Sequence, residues 1–197
     1  MPAGDAEAKL RADLIRLGLL QAQQDVTMRP LTGGVSSDIW RVDLPSGPVC
    51  VKRALALLKV AAVWEAPVAR NAFEVAWMQT VAAFAPQCVP KVIAHDAATG
   101  LFVMQYLDPA QHPLWKNELR DGRVDAAFAA AVGTALATIH ARTAGQAALR
   151  EQFATDEIFY PIRLEPYLVA TSAKHPDCAA ALLDLVETTR TTKLALV

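Results

Sequence analysis

Apolar residues along the chain change their spacing several times, and each change predicts a different element. Leu10, Leu14 and Leu17 are spaced i, i+4 and i+7, which is typical of one face of an amphipathic helix. The pattern therefore predicts a leading helix over about residues 6–20.

A hairpin is predicted immediately after this helix. Residues 31–38 are rich in glycine and serine, as in a turn or loop, and residues 39–44 then alternate between apolar and polar side chains. Residues 45–48 contain proline and glycine, which favour a turn, and residues 49–52 supply the returning strand. The hairpin would carry a glycine-rich loop at its open end.

Helical spacing returns next and ends at Pro86, which cannot continue a helix. Two short strands are then predicted at 91–94 and 101–106. This order favours an α+β fold, in which one helix packs on a small antiparallel sheet. The expected helix face consists of Phe73, Trp77, Val81 and Phe84. The expected sheet positions beneath it are Ile39, Trp40, Val49, Val51 and Val103.

Beyond Asp108 the composition shifts towards helix. The apolar stripes there are Phe128, Val132, Leu136 and Ile139, and then Leu182, Leu185 and Val186. We therefore expect two parts, an amino-terminal unit over 1–107 and a helical unit over 108–197. The apolar run 194–197 is interpreted as a buried strand at which the chain was cut.

Composition excludes several classes of protein. Hydrophobic residues make up 53% of the chain and the formal net charge is −1, which argues against disorder and against a basic nucleic-acid-binding protein. The three cysteines form no CxxC pair, and no signal peptide or membrane-spanning run is apparent. We expect a cytoplasmic protein with no nucleic-acid or membrane partner.

The glycine-rich loop is a candidate phosphate site. Gly33 and Gly34 would let the backbone approach an anion closely, and Ser36 and Ser37 offer hydroxyl donors. A plain hairpin turn explains the same residues. The loop is not a Walker A motif, because no Gly-Lys-Ser/Thr precedes a helix.

Lys52 makes the phosphate interpretation more specific. It ends an apolar strand, and Glu74 on the following helix could orient it, as in the nucleotide-phosphate clamp of kinases. Two alternatives remain open at this point. Arg70 could hold Glu74 in an ordinary (i, i+4) pair, and Glu65 is a rival partner for Lys52.

The strand over 102–107 is the third candidate element. Its backbone at Gln105 and Leu107 could bind a purine base, while apolar side chains such as Met104 lie against the ring. An ordinary core strand is the alternative.

Taken in order, these segments resemble the amino-terminal lobe of protein-kinase-like enzymes. The remainder resembles the aminoglycoside phosphotransferase and choline kinase-like superfamily, which also includes methylthioribose, homoserine and fructosamine kinases. Residues 132–140 are similar to that family's helix ending in Leu-Ala-x-Leu-His, and 114–116 and 163–168 are similar to segments of its bacterial small-molecule kinases. The resemblance covers about residues 28–197.

This resemblance implies a phosphotransferase that moves the γ-phosphate of ATP or GTP to a hydroxyl of a small molecule. Lys52 would hold the α- and β-phosphates, Glu74 would orient Lys52, and residues 33–37 would cover the phosphates. The family's His-Gly-Asp-x-x-x-x-Asn loop and its later Mg²⁺-binding Asp are not in the sequence, and His140 is followed by Ala-Arg instead. The resemblance therefore assigns no catalytic or metal residue here, and we expect the 197-residue chain to be inactive.

Two other hypotheses stand beside this one. The chain could be a nucleotide-binding or interaction module that needs no catalytic loop, or a mixed α/β domain without a nucleotide site. Asp108, Trp115 and Lys116 follow the strand at 102–107 and are candidates for the mouth of an acceptor site, although packing and surface roles explain them equally well.

Overall fold

A computed structural model describes residues 3–31, 34–61 and 64–196. Its helices and strands follow the predicted order except for a first strand at Thr27–Leu31, which was not predicted, and helices are concentrated in the second half. The elements are α1 (Ala3–Arg16), β1 (Thr27–Leu31), β2 (Ser37–Leu44), β3 (Gly47–Ala54), α2 (Arg70–Ala82), a short 3₁₀ turn (Pro86–Cys88), β4 (Val92–Asp96), β5 (Leu101–Gln105), α3 (Trp115–Arg120), α4 (Ala126–Thr143), α5 (Ala147–Gln152), α6 (Asp156–Phe159), a π-helix (Tyr160–Val169), α7 (Ala170–Lys174) and α8 (Ala179–Thr191).

The chain packs as two compact units, Met1–Val124 and Asp125–Val197. Residues 108–124, which follow the composition shift, belong with the first unit. The first unit contains the sheet and every residue of the candidate site, so it is described in more detail.

The leading helix ends four residues before its predicted limit. Gly18 has φ +72, and its N–H donates to the carbonyl of Ile15 at 3.0 Å. Glycine tolerates this left-handed conformation, which stops an α-helix. Leu17 is therefore in the turn that follows α1.

The described strands form a five-stranded antiparallel sheet in the order β1-β2-β3-β5-β4. Lys52 of β3 is registered with Ile39 of β2 and with Phe102 of β5. Side chains of directly paired residues share a face of a sheet, and successive residues alternate between faces. Lys52, Ile39 and Phe102 therefore lie on one face, whereas Val51 lies on the other.

Helix α1 covers the face that Lys52 does not use. Leu10 and Leu14 are buried there in one cluster with residues from β2, β3 and β5. The buried strand positions are Val42, Leu44, Val49, Val51, Leu101 and Val103.

Helix α2 covers the opposite face, and its expected packing is partly wrong. Val75 and Met78 are buried against Phe102, while Val49, Val51 and Val103 belong to the cluster under α1. The buried positions of α2 are Asn71, Val75, Met78 and Val81, whereas Phe73, Trp77 and Phe84 are only half-buried.

The sequence could not determine this helix phase, because α2 is apolar nearly all round. Asn71, Glu74, Gln79 and Thr80 are its polar residues after Arg70, and they do not form one continuous stripe. An apolar stripe indicates a buried face only where the other face is polar. Trp77 instead packs against the buried cluster from a half-buried position.

The second unit is helical, as predicted. Asp125 caps α4 by accepting hydrogen bonds from the N–H groups of Ala127 and Phe128. Of the predicted α4 stripe, Ile139 is buried, whereas Phe128 and Leu136 are exposed.

The strand expected at 194–197 is not formed by the part that the structure describes, residues 194–196. The carbonyl of Leu194 accepts a hydrogen bond from the N–H of Gly145, and the N–H of Leu196 donates to Oγ1 of Thr143. These contacts with the end of α4 take the place of a strand ladder, and Leu194 is 74% exposed. Val197 lies outside the described residues.

Within the described ranges, none of the helices combines the length and the apolar character needed to cross a bilayer.

Candidate functional site

Lys52 and Glu74 form an ion pair across the interface between β3 and α2. Nζ of Lys52 lies 2.5 Å from Oε1 of Glu74, and the two side chains are 20% and 40% exposed. The expected contact is therefore present. Lys52 is held by its register in the sheet, and Glu74 lies at the edge of the buried face of α2, where it can reach the lysine. The rival partner Glu65 is exposed, and its backbone forms an isolated antiparallel β-bridge with Leu57.

The surroundings of Lys52 are largely apolar. Its Nζ lies 5.9 Å from the centroid of the Phe102 ring. Two residues before it, burial raises the pKa of the Cys50 thiol to about 11, although the charge of Lys52 acts in the opposite direction. A half-buried ammonium group in such surroundings attracts an anion more strongly than one in bulk water.

The described part of the glycine-rich loop, residues 34–37, lies beside this pair. We call this segment the glycine loop; Gly33, a predicted site residue, lies outside the described residues. A Cβ on Gly34 would be 3.9 Å from Cδ1 of Ile39, an ordinary contact distance. Ser36 is half-buried and Ser37 is 7% exposed, so little of the Ser37 hydroxyl faces solvent.

The segment after β3 holds one side of the glycine loop. The N–H of Leu55 donates to the carbonyl of Ser36 at 3.1 Å, and the N–H of Lys59 donates to the carbonyl of Val35 at 2.8 Å. Nζ of Lys59 also pairs with Oδ1 of Asp38 at 2.5 Å. The loop is therefore fastened to the segment that follows β3.

Arg70 also holds the glycine loop to the segment after β3, a role that was not predicted from the sequence. Its guanidinium donates to the carbonyls of Ser36 at 2.6 Å and Leu55 at 2.7 Å. It also donates to the carbonyls of Ala66 at 3.0 Å and Pro67 at 2.8 Å. Local spacing suggested only a pair with Glu74, and no local signal indicates a contact across 34 residues.

The predicted base-binding segment continues from β5. Met104 packs against the cluster of Val75, Met78 and Phe102. The N–H of Gln105 donates to the carbonyl of Lys91 at 2.8 Å. Leu107 follows the strand and is exposed.

A matching family model fits this arrangement. The model of the phosphotransferase enzyme family matches residues 27–192, from the first residue of β1 to the residue after α8. This chain belongs to the phosphotransferase enzyme family. The match confirms the resemblance stated from the sequence, and the α+β architecture agrees with a kinase-like fold. Among curated proteins, no relative matches the chain.

In this member of the phosphotransferase family, Cys50 and Ile39 are two further side chains near Lys52. Cys50 is registered with Met104, and Ile39 is registered with Lys52 and with Leu31. All lie on the face of the sheet that carries Lys52. The alternation of β2 and β3 in the sequence contained this information, but the cross-strand register was needed to use it.

Enzymes of this family generally use ATP and Mg²⁺. Across residues 3–31, 34–61 and 64–196, no three His, Cys, Asp or Glu side chains form a group that could hold a metal ion. No described residue is therefore assigned to Mg²⁺.

Proposed function

We propose that the first unit binds a purine nucleoside triphosphate, ATP or GTP, on the face of the sheet that carries Lys52. We further propose that this binding serves a phosphotransferase reaction, in which the γ-phosphate moves to a hydroxyl of a small molecule. The observation that carries this proposal is the Lys52–Glu74 ion pair beside the glycine loop. Its support is the family match over residues 27–192.

In this proposal, Lys52 binds the α- and β-phosphates by charge-assisted hydrogen bonds. Its ammonium has three donors, and Glu74 uses one acceptor oxygen to hold it in place. The half-buried, apolar surroundings reduce competition from water. Holding a cation rigidly at the phosphates is how enzymes of this chemistry stabilise charge in the transition state.

The glycine loop covers the phosphates. Gly33 and Gly34 allow close approach of the backbone, and the protein itself does not require glycine at position 34, because a Cβ there meets only ordinary contacts. Ser36 and Ser37 are the other proposed loop residues. The lack of a side chain at Gly34 is consistent with space kept for a ligand.

The base lies against Met104 and forms hydrogen bonds with the backbone at Gln105 and Leu107. Because the N–H of Gln105 already donates to the carbonyl of Lys91, Gln105 contributes its carbonyl oxygen as an acceptor. Leu31, Ile39 and Cys50 add apolar surface on the same face. Nucleotide sites commonly combine an apolar lining with a few directed backbone groups. Adenine and guanine both fit this description.

Catalysis by the 197-residue chain is not expected. The sequence contains no His-Gly-Asp segment, and no described residue is assigned to Mg²⁺. We therefore propose that this chain binds nucleotide without useful transfer. We also propose that it acts in the cytoplasm and has no nucleic-acid or membrane partner. The second candidate, a nucleotide-binding module without catalysis, would use the same Lys52–Glu74 pair.

Calorimetric titration with ATP, GTP, AMP and adenosine tests the binding proposal. We expect Lys52→Met to weaken ATP binding by about tenfold or more while adenosine binding changes little, because the lost contact is to phosphate. Lys9→Met, at an exposed lysine of α1, is the control and should leave both unchanged. Failure of the unchanged chain to bind any of these ligands would contradict the proposal, as would equal ATP affinity in Lys52→Met. An ADP-release assay with small alcohols then tests the expected absence of transfer, which robust turnover by the 197-residue chain would contradict.

A further inference from the structure

Arg70 contacts the backbone of three separate segments. The guanidinium reaches Ser36 in the glycine loop, Leu55 immediately after β3, and Ala66 and Pro67 immediately before α2. All four acceptors are carbonyl oxygens. Arginine suits this task because its planar guanidinium carries five N–H donors in a fixed geometry.

The contact with Ser36 adds to the backbone hydrogen bonds that already fasten the glycine loop. Nη2 of Arg70 donates to both Ser36 and Leu55, at 2.6 and 2.7 Å, and the N–H of Leu55 itself donates to the carbonyl of Ser36. The arginine thus holds together two chain segments that already touch. Its own position is fixed by the carbonyls of Ala66 and Pro67.

Arg70 also lies four residues before Glu74, at the start of the same helix. One helical turn of α2 therefore carries both the anchor of the glycine loop and the partner of Lys52. A displacement of α2 would move the carboxylate that orients Lys52 and the guanidinium that holds the loop. The two parts of the phosphate site are mechanically connected through this turn.

We propose that Arg70 is a positioning residue for the phosphate-binding loop, which it ties to the first turn of α2. The proposal rests on the proposed nucleotide-binding function. Arg70 does not need to touch the nucleotide, because it acts by holding the backbone at Val35 and Ser36 where the phosphates bind. A loop held in place before binding loses less conformational freedom when the ligand arrives, which favours affinity.

The test compares Arg70→Lys with the unchanged chain. Lysine keeps the charge, but its three donors are all on one nitrogen, so it cannot reproduce a fork that spans Ser36, Leu55 and the start of α2. Arg11→Lys is a matched control. Arg11 also donates from its guanidinium to two backbone carbonyls, those of Ala22 and Gln24, in a part of the first unit remote in sequence from the glycine loop.

Two readouts separate positioning from general loss of structure. Calorimetry gives the Kd for ATP and for adenosine together with the number of sites per chain, so an unfolded fraction lowers the number of sites and not the affinity. We expect Arg70→Lys to weaken ATP binding by about tenfold and adenosine binding by less than about twofold. Amide hydrogen exchange should rise at residues 34–37, whereas Arg11→Lys should change neither readout. Arg70→Gln, which loses the charge as well, gives a second measurement with the same expected direction.

The outcomes distinguish this role from the proposed function. Equal ATP affinity in Arg70→Lys and the unchanged chain overturns the positioning role alone. Equal weakening of ATP and adenosine, or the same effect from Arg11→Lys, also overturns it. If the unchanged chain binds neither ATP nor adenosine, the proposed function fails and the role of Arg70 fails with it.

Discussion

At the scale of single residues, the candidate site depends on side chains held by backbone register. Lys52 lies between Ile39 and Phe102 in the sheet, so its direction is set by two neighbouring strands. Cys50 is on the same face two residues earlier and is buried. These positions make the local environment testable through the reactivity of cysteine.

The thiol of Cys50 should resist alkylation in the folded protein. Burial raises its pKa to about 11, so only about one thiol in a thousand is ionised at pH 8, and the thiolate is the reactive form. We expect iodoacetamide at pH 8 to label the exposed Cys88 and Cys178, and Cys50 only after unfolding. Mass spectrometry of peptides measures this, and labelling of Cys50 as fast as Cys88 would contradict the description.

Gly100 supplies a second test at a single residue. It has φ +60, and a Cβ there would clash with Cγ1 of Val68, while its carbonyl accepts from the N–H of Ala54. We expect Gly100→Ala to lower the free energy of unfolding by roughly 1–3 kcal/mol. Gly122→Ala is the control, because Gly122 has φ +79 and nothing within 4 Å of its Cβ position. Urea denaturation should show a clearly smaller loss for Gly122→Ala, and equal losses would show that the close approach to Val68 has no energetic effect.

At the scale of elements, both helices of the amino-terminal half pack on the sheet, one on each face. The α2 interface buries Val75, Met78 and Phe102. Helix α1 is held by charges as well as by leucines. Asp13 accepts from Arg53 of β3 and from Arg16, and Arg16 also pairs with Asp96 at 2.5 Å.

The helix phase of α2 can be checked by truncation. Met78→Ala should lower the free energy of unfolding by about 2–5 kcal/mol, because Met78 is 6% exposed and its removal leaves a cavity. Gln79→Ala, at the next and exposed position, should stay within about 0.5 kcal/mol of the unchanged protein. Chemical denaturation measures both, and a reversed order would contradict the observed phase.

Arg16, at the end of α1, forms an ion pair with Asp96, at the end of β4. This pair should make the free energy of unfolding depend on pH. The hydroxyl of Thr99 first, and then the guanidinium of Arg16, lower the pKa of Asp96. Because the pKa is lower in the folded state, the stabilisation is complete above the pKa of an unfolded Asp, about 3.9, and is lost as pH falls through the folded value.

Asp96→Asn should therefore destabilise the protein at pH 7 and reduce the stability lost between pH 5 and about pH 3. Unfolding in urea at several pH values measures this. Asp25→Asn, at an exposed residue, should follow the unchanged protein. An Asp96→Asn profile parallel to that of the unchanged protein would contradict the role of this carboxylate.

The sequence predicted the parts of this fold that depend on local spacing. Alternation in 39–44 and 49–52 correctly predicted the β2–β3 hairpin, and the order of strand and helix correctly brought Lys52 to Glu74. The role of Arg70 could not be predicted, because its acceptor at Ser36 is a backbone atom and has no side-chain signature. The covering of the second face by α1 could not be predicted either, because it depends on packing between residues far apart in the sequence.

At the scale of the whole molecule, the chain contains two compact units, and the candidate nucleotide site lies within the first. The family match begins at β1 and includes most of the second unit, so the phosphotransferase assignment does not depend on the sheet alone. Nucleotide binding in this unit depends most on one residue, because we propose that Lys52 is the lysine that binds the nucleotide phosphates.

A lysine-reactive acyl phosphate of ATP tests this claim most directly. An amine beside the bound phosphates attacks the acyl carbon, which forms an amide on lysine and releases ATP as the leaving group. We expect mass spectrometry to find the adduct on Lys52 and expect excess ATP to prevent it, while exposed lysines such as Lys9 and Lys116 react slowly and without protection. Labelling of the exposed lysines with Lys52 unmodified, or labelling of Lys52 that ATP does not reduce, would contradict the account.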